Sequence, residues 1–160
     1  MRAEEQTSRH LLLAVITTVF SGMLNLVTIA LGWELWMVPL TGAGCLSVWL
    51  LHIGRFGSDA FYENLCAGLM LTEFFFFGVH EASLFDLPAV ACVLNLTLFM
   101  QNKKWITRAI EVLYVLVLLY QGLIFHTISR QMGRQGVFRL ALGIVVTFGG
   151  AGLARYWINS

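Results

Sequence analysis

Residues 11–31 read LLLAVITTVFSGMLNLVTIAL, an apolar run of 21 residues. At about 1.5 Å per residue a helix of this length measures roughly 30 Å, the thickness of the hydrocarbon core of a bilayer. Working outward from this run, the sequence offers five more apolar segments, giving spans at 11–31, 35–53, 61–79, 84–101, 105–128 and 137–158. The fourth is short and carries Asn95. Strict alternation of period two is missing from these segments, which argues against a membrane barrel.

Composition agrees. The 160-residue chain is 58% hydrophobic and only 12% charged, and its mean hydropathy is +0.77. Soluble domains carry roughly a quarter charged residues, so lipid is the expected main solvent. The expected fold is all-α: a polytopic bundle of about six transmembrane helices forming one sensory domain over residues 1–160. The first run is too long for the apolar core of a cleaved signal peptide. A net charge of +1 with no basic, aromatic-interleaved patch gives no reason to expect a nucleic-acid partner. Cys45, Cys66 and Cys92 all fall within apolar runs, so packing is expected rather than a disulfide framework or a zinc site.

Orientation follows the distribution of positive charge. With the N-terminus in the cytoplasm, the inner side holds Arg2, Arg9, Arg55, Lys103, Lys104, Arg108 and Arg155. The outer side holds Arg130, Arg134 and Arg139. Six spans return the C-terminus to the cytoplasm. Links such as 32–34 and 80–83 are only a few residues long, so neighbouring helices form antiparallel hairpins.

Within this apolar chain, FFFFGVHEASLFDLPAV at 74–90 gathers several polar groups. Glu73 lies inside the third span, roughly 9 Å below its outer end. A carboxylate at that depth costs several kcal/mol unless it is protonated, paired or wet. His80 and Glu81 follow at spacings of seven and eight, on nearly the same helical face. Ser83 and Asp86 stand at the next turn, Glu34 and Trp36 join the first two spans, His126 lies near the outer end of the fifth, and Arg130 follows that span.

These residues form the candidate ligand-binding set, suited to a small polar or anionic ligand or to a proton. Their plainer reading is structural: tryptophans of an interfacial belt, Ser83 and Asp86 capping the fourth helix, and acids paired with outer arginines. A metal site lacks a ligand signature, His52 beside Arg55 reads as an interfacial anchor, and Glu111 is expected to pair with Arg108 or Arg55. No span contains a lysine for a retinal Schiff base. No motif for nucleophilic, phosphoryl-transfer or zinc-protease chemistry occurs, so neither an enzymatic activity nor a cofactor is expected of this segment.

Along the last span Gly143, Thr147 and Ala151 recur at four-residue spacing with Gly150 beside them, a pattern that lets helices approach closely. It suits a homodimer seam that relays a signal, or packing against the fifth helix. The chain then closes on Arg155-Tyr156-Trp157-Ile158-Asn159-Ser160, which reads as a module whose output domain lies beyond it.

Two stretches carry a likeness. Trp33-Glu34-Leu35-Trp36-Met37-Val38-Pro39 opens a span that ends in Trp49-Leu50-Leu51-His52-Ile53, and Phe77-Gly78-Val79-His80-Glu81-Ala82-Ser83-Leu84-Phe85-Asp86 follows later. The arrangement resembles the N-terminal six-helix input region of bacterial sensor histidine kinases and of related nucleotide cyclase receptors. The resemblance implies a multi-pass protein of the bacterial plasma membrane. In such a receptor a ligand or proton bound near the outer face shifts the last helix, which passes the change to a dimeric cytoplasmic domain. A small proton- or ion-coupled transporter, with Glu73 and His80 on the path, is the second reading. A membrane-embedded enzyme acting on lipid, using the outer arginines to hold a phosphate, is the third.

Overall fold

The computed structural model describes residues 2–80, 86–98, 101, 103–125 and 134–159. Among them the regular structure is all helical, with no strand. Helix α1 covers Arg2–Leu31, α2 Met37–Gly54, α3 Asp59–Gly78 and α4 Leu87–Leu98. Helix α5 covers Lys104–Tyr120 and continues as a wider π turn over Gln121–Phe125, and α6 covers Arg134–Asn159.

Four segments are long and apolar enough to cross a membrane: Arg2–Leu31, Met37–Gly54, Lys104–Leu123 and Gly136–Asn159. Helix α3 has 20 residues but carries Asp59, Glu63, Asn64 and Glu73, which lower its hydropathy below that of the four. Helix α4 has 12 residues, about 18 Å of helix; of the span predicted over 84–101, residues 84, 85, 99 and 100 lie outside the described residues.

The ends have local causes. Gly32 has a φ of +67°, and the amide of Trp33 reaches back to the carbonyl of Thr28 at 2.9 Å. This six-to-one bond over a left-handed glycine stops α1. Helix α3 starts where the Ser58 hydroxyl accepts the Phe61 amide at 3.2 Å, an N-cap with Asp59 in the first turn. The carbonyl of Asp86 accepts the amides of Ala89 and Val90 at 3.1 and 3.3 Å, opening α4. Helix α1 begins nine residues before the predicted start of its span. Its added turns are tied to α3: Gln6 donates to Asp59, and Arg9 pairs with Glu63.

The burial pattern is that of a protein solvated by lipid. The buried stripe of α1 is Leu13, Ala14, Thr17, Ser21, Leu24 and Thr28, at helical spacing. Ser21 is 2% exposed, whereas Leu26 on the opposite side is 70% exposed. Small and hydroxyl-bearing side chains face the neighbouring helices and the larger aliphatic ones face outward, as in membrane bundles where tight packing rather than apolar burial draws helices together.

The chain divides into two compact units, Met1–Glu73 and Phe74–Ser160. In the first, α1 packs on α2, and Leu13, Ala14, Val48, Tyr62 and Cys66 form an apolar cluster. In the second, α6 packs against both α4 and α5. Leu87, Leu94, Ile110, Tyr114, Val117 and Ala151 are fully buried there.

Candidate functional site

Glu73 is fully buried. One carboxylate oxygen accepts a hydrogen bond from the hydroxyl of Ser21 on α1, and the other has no partner among the described residues. The thiol of Cys45, on α2, lies beside the same Ser21 hydroxyl. Each of the three helices therefore contributes one polar group to a single buried cluster.

This cluster is one rung of a longer polar seam down the first unit. At one end the Thr41 hydroxyl donates to Asn25 Oδ1 at 2.8 Å. Below the Glu73 cluster, the Trp49 indole donates to the Thr18 hydroxyl at 2.8 Å. The Cys66 thiol lies beside both Thr17 and Tyr62. The Tyr62 hydroxyl donates to the carbonyl of His10 at 2.8 Å, and His10 Nε2 lies 3.5 Å from Asp59. From Gln6 to Asn25 the seam follows α1 for roughly 29 Å at 1.5 Å per residue.

Two of its groups, Glu73 and Tyr62, lie where burial without a partner is costly, which is why hydroxyl and thiol groups gather beside them.

The second unit holds its own polar joints. Gln121, fully buried at the start of the π turn, donates through its amide nitrogen to the carbonyls of Gly78 and His80 at 2.7 and 2.6 Å. These carbonyls end α3 and have no intrahelical partner of their own. His80 Nδ1 lies 2.8 Å from the Phe76 carbonyl, and its ring meets Phe76 edge-on at 4.9 Å.

Glu111 pairs with Arg155 of α6, at 2.7 Å from Nη1, and not with Arg108 or Arg55 as the sequence suggested. Arg155 comes from the helix packed against α5, whereas Arg108 faces outward from α5 itself.

The predicted site residues are distributed as follows. Glu34, Trp36 and Glu73 belong to the first unit, with Glu34 and Trp36 exposed at the α1–α2 turn. His80 and Asp86 belong to the second. Glu81, Ser83, His126 and Arg130 lie outside the described residues.

The small-residue row of α6 makes its close approaches inside the molecule. A Cβ on Gly143 would stand 2.8 Å from the Pro88 ring and 3.3 Å from the Tyr114 hydroxyl. Thr147 and Ala151 are fully buried, and Gly150 faces the Cys92 sulfur.

Ser21, Thr17 and Tyr62 were not among the expected site residues, and Cys45 and Cys66 were expected only to pack. The spacing of Thr17, Ser21 and Thr28 along one face of α1 is a signal for the α1 side of the seam alone.

No family model matches the chain, and no curated protein and no solved structure matches it either.

Proposed function

We propose that the chain is a six-span protein of the bacterial plasma membrane, both ends cytoplasmic, that acts as the sensory input of a signalling receptor. The observation that carries this reading is the buried carboxyl of Glu73, held by Ser21 and left with one oxygen unpartnered among the described residues. An ionisable group inside a membrane bundle is a functional site by default, because its burial is costly. Of the two inputs weighed from the sequence, a proton fits best. It needs no cavity, and Glu73 is fully buried. The titratable group facing Glu73 is Cys45 of α2.

A proton gained or lost at Glu73 changes the hydrogen bond to Ser21 and so the fit of α3 against α1. The carbonyls at the end of α3 are gripped by Gln121 of the π turn, and α5 packs on α6. The last helix then carries the change to a cytoplasmic partner domain in a homodimer. Such a relay works only as far as the proton binds the two arrangements with different affinity.

Hydrogen exchange of α6 in liposomes tests this. Peptides from Arg134–Asn159 should change protection as pH is lowered, and the change should vanish in a Glu73→Gln, His80→Ala double variant that still inserts and folds. An unaltered response in the double variant removes the proposed input. A proton flux across the liposome membrane that stops in Glu73→Gln replaces the sensor reading with transport.

A further inference from the structure

A second polar site lies at the other end of the first unit. Here the first turns of α1, the end of α2 and the start of α3 enclose a cleft of about 260 Å³, the share of liquid volume of roughly eight or nine waters. The sequence reading gave it no role beyond anchoring His52.

Its hydrogen-bonding capacity is lopsided. The acid in the cleft, Asp59, is already engaged by Gln6 and lies against His10. The Thr7 hydroxyl is spent on the Ala3 carbonyl. Arg55 makes no hydrogen bond or ion pair among the described residues. His52 makes only ring contacts, edge-on to Trp49 at 5.9 Å and tilted to Tyr62 at 6.4 Å. The Ser58 hydroxyl accepts the Phe61 amide, which leaves its own proton to donate. What remains uncommitted is the Arg55 guanidinium, the His52 ring nitrogens and the Ser58 hydroxyl proton, a set rich in donors with one fixed positive charge.

An independent observation falls on the same residue. Arg55 has a φ of 51° and a ψ of 37°, the left-handed conformation in which glycine usually terminates a helix. A long side chain there is disfavoured and persists where something else requires it. Arg55 lines the cleft together with His52 and Ser58. Leu51 and Phe56 supply an apolar wall beside these donors.

We propose that this cleft binds a phosphate ester, with the Arg55 guanidinium and His52 holding the phosphate oxygens and the Leu51–Phe56 wall receiving the organic part. Guanidinium matches phosphate in a two-pronged geometry that a lysine ammonium does not reproduce. The ester is the headgroup of an anionic lipid or a soluble phosphorylated metabolite, and the two share this chemistry. The inference stands independently of the role given to Glu73.

The test uses the whole chain in a phosphate-free maltoside detergent, titrated with short-chain phosphatidylglycerol and separately with glycerol 1-phosphate, each followed by its own phosphorus NMR signal. Saturable binding of at least one probe is expected, weakened tenfold or more in Arg55→Gly and several-fold in His52→Gln. Arg55→Lys should recover only part of the affinity.

Arg55→Gly suits the positive φ, so its thermal stability should equal or exceed that of the parent. His52→Gln leaves the backbone alone and serves where the glycine variant misfolds. Binding of the lipid alone assigns the site to the membrane, and equal binding of glycerol 1-phosphate assigns it to a solute. Failure of both probes to saturate, or equal affinity in the parent and both variants, overturns the proposal.

Discussion

The hydroxyl of Ser21 on α1 donates to the carboxyl of Glu73 on α3, joining residues 52 positions apart at a fully buried point of the first unit. The Cys45 thiol of α2 lies beside the same hydroxyl. Ser21 therefore brings together one polar group from each neighbouring helix. Removing it leaves the Glu73 carboxyl without its hydrogen-bond donor.

Ser21→Ala is expected to lower stability by about 0.5–1.5 kcal/mol, the range of a single buried or interhelical hydrogen bond. Glu73→Gln should cost less, because an amide oxygen still accepts from Ser21. Thermal unfolding in detergent ranks the two, and a Glu73→Gln variant less stable than Ser21→Ala contradicts the assignment.

Gly143 tests the packing of α6 against α4. A methyl group there meets the Pro88 ring at 2.8 Å, and overpacking of this kind costs about 1–3 kcal/mol. Gly149→Ala, with nothing within 4 Å of its new Cβ, should leave stability unchanged or raise it, since alanine is the better helix former by about 1 kcal/mol. Equal melting shifts for the two variants would remove the close approach.

Gln121→Leu keeps the volume of the side chain but leaves the Gly78 and His80 carbonyls unpaired, at an expected cost of about 2 kcal/mol. Gln121→Glu should be worse, because it sets an acceptor against two acceptors. The loss should appear first as faster hydrogen exchange at the end of α3 and in the π turn.

The pair between Glu111 and Arg155 is partly shielded, with side chains 15% and 27% exposed. A double-mutant cycle with Glu111→Gln and Arg155→Met should show a coupling on the order of 1 kcal/mol. The same cycle with Arg108 in place of Arg155 should show coupling near zero, although Arg108 was one of the two partners the sequence suggested.

Much of the helical layout was legible. Helix α1 ends at Leu31 as its apolar run does, and α2, α3 and α6 start or stop within three residues of the predicted segments. Apolar runs of that length and a left-handed glycine at position 32 leave little freedom.

The polar turns before Leu11 were not legible as helix. Their stability comes from partners such as Asp59 and Glu63, more than 50 residues away. The same reason hides the seam. Glu73 stands out in an apolar helix, but nothing local identifies Ser21 and Cys45 as its neighbours. Arg55 was read as surface charge because its backbone conformation, which sets it apart, has no signature in an arginine.

The small residues of α6 were read equally as a dimer seam or as internal packing, since spacing alone cannot name the surface they meet. Pro88 and the Tyr114 hydroxyl occupy the space beside Gly143.

The central claim, that Glu73 exchanges a proton as the input, is tested most directly by infrared difference spectroscopy of the protein in liposomes. A carboxylic-acid C=O band should appear and disappear reversibly as pH is cycled, be missing in Glu73→Gln and shift in Ser21→Ala, which removes its hydrogen-bond donor. A spectrum whose titrating carboxyl bands are identical in the parent and Glu73→Gln would contradict the account.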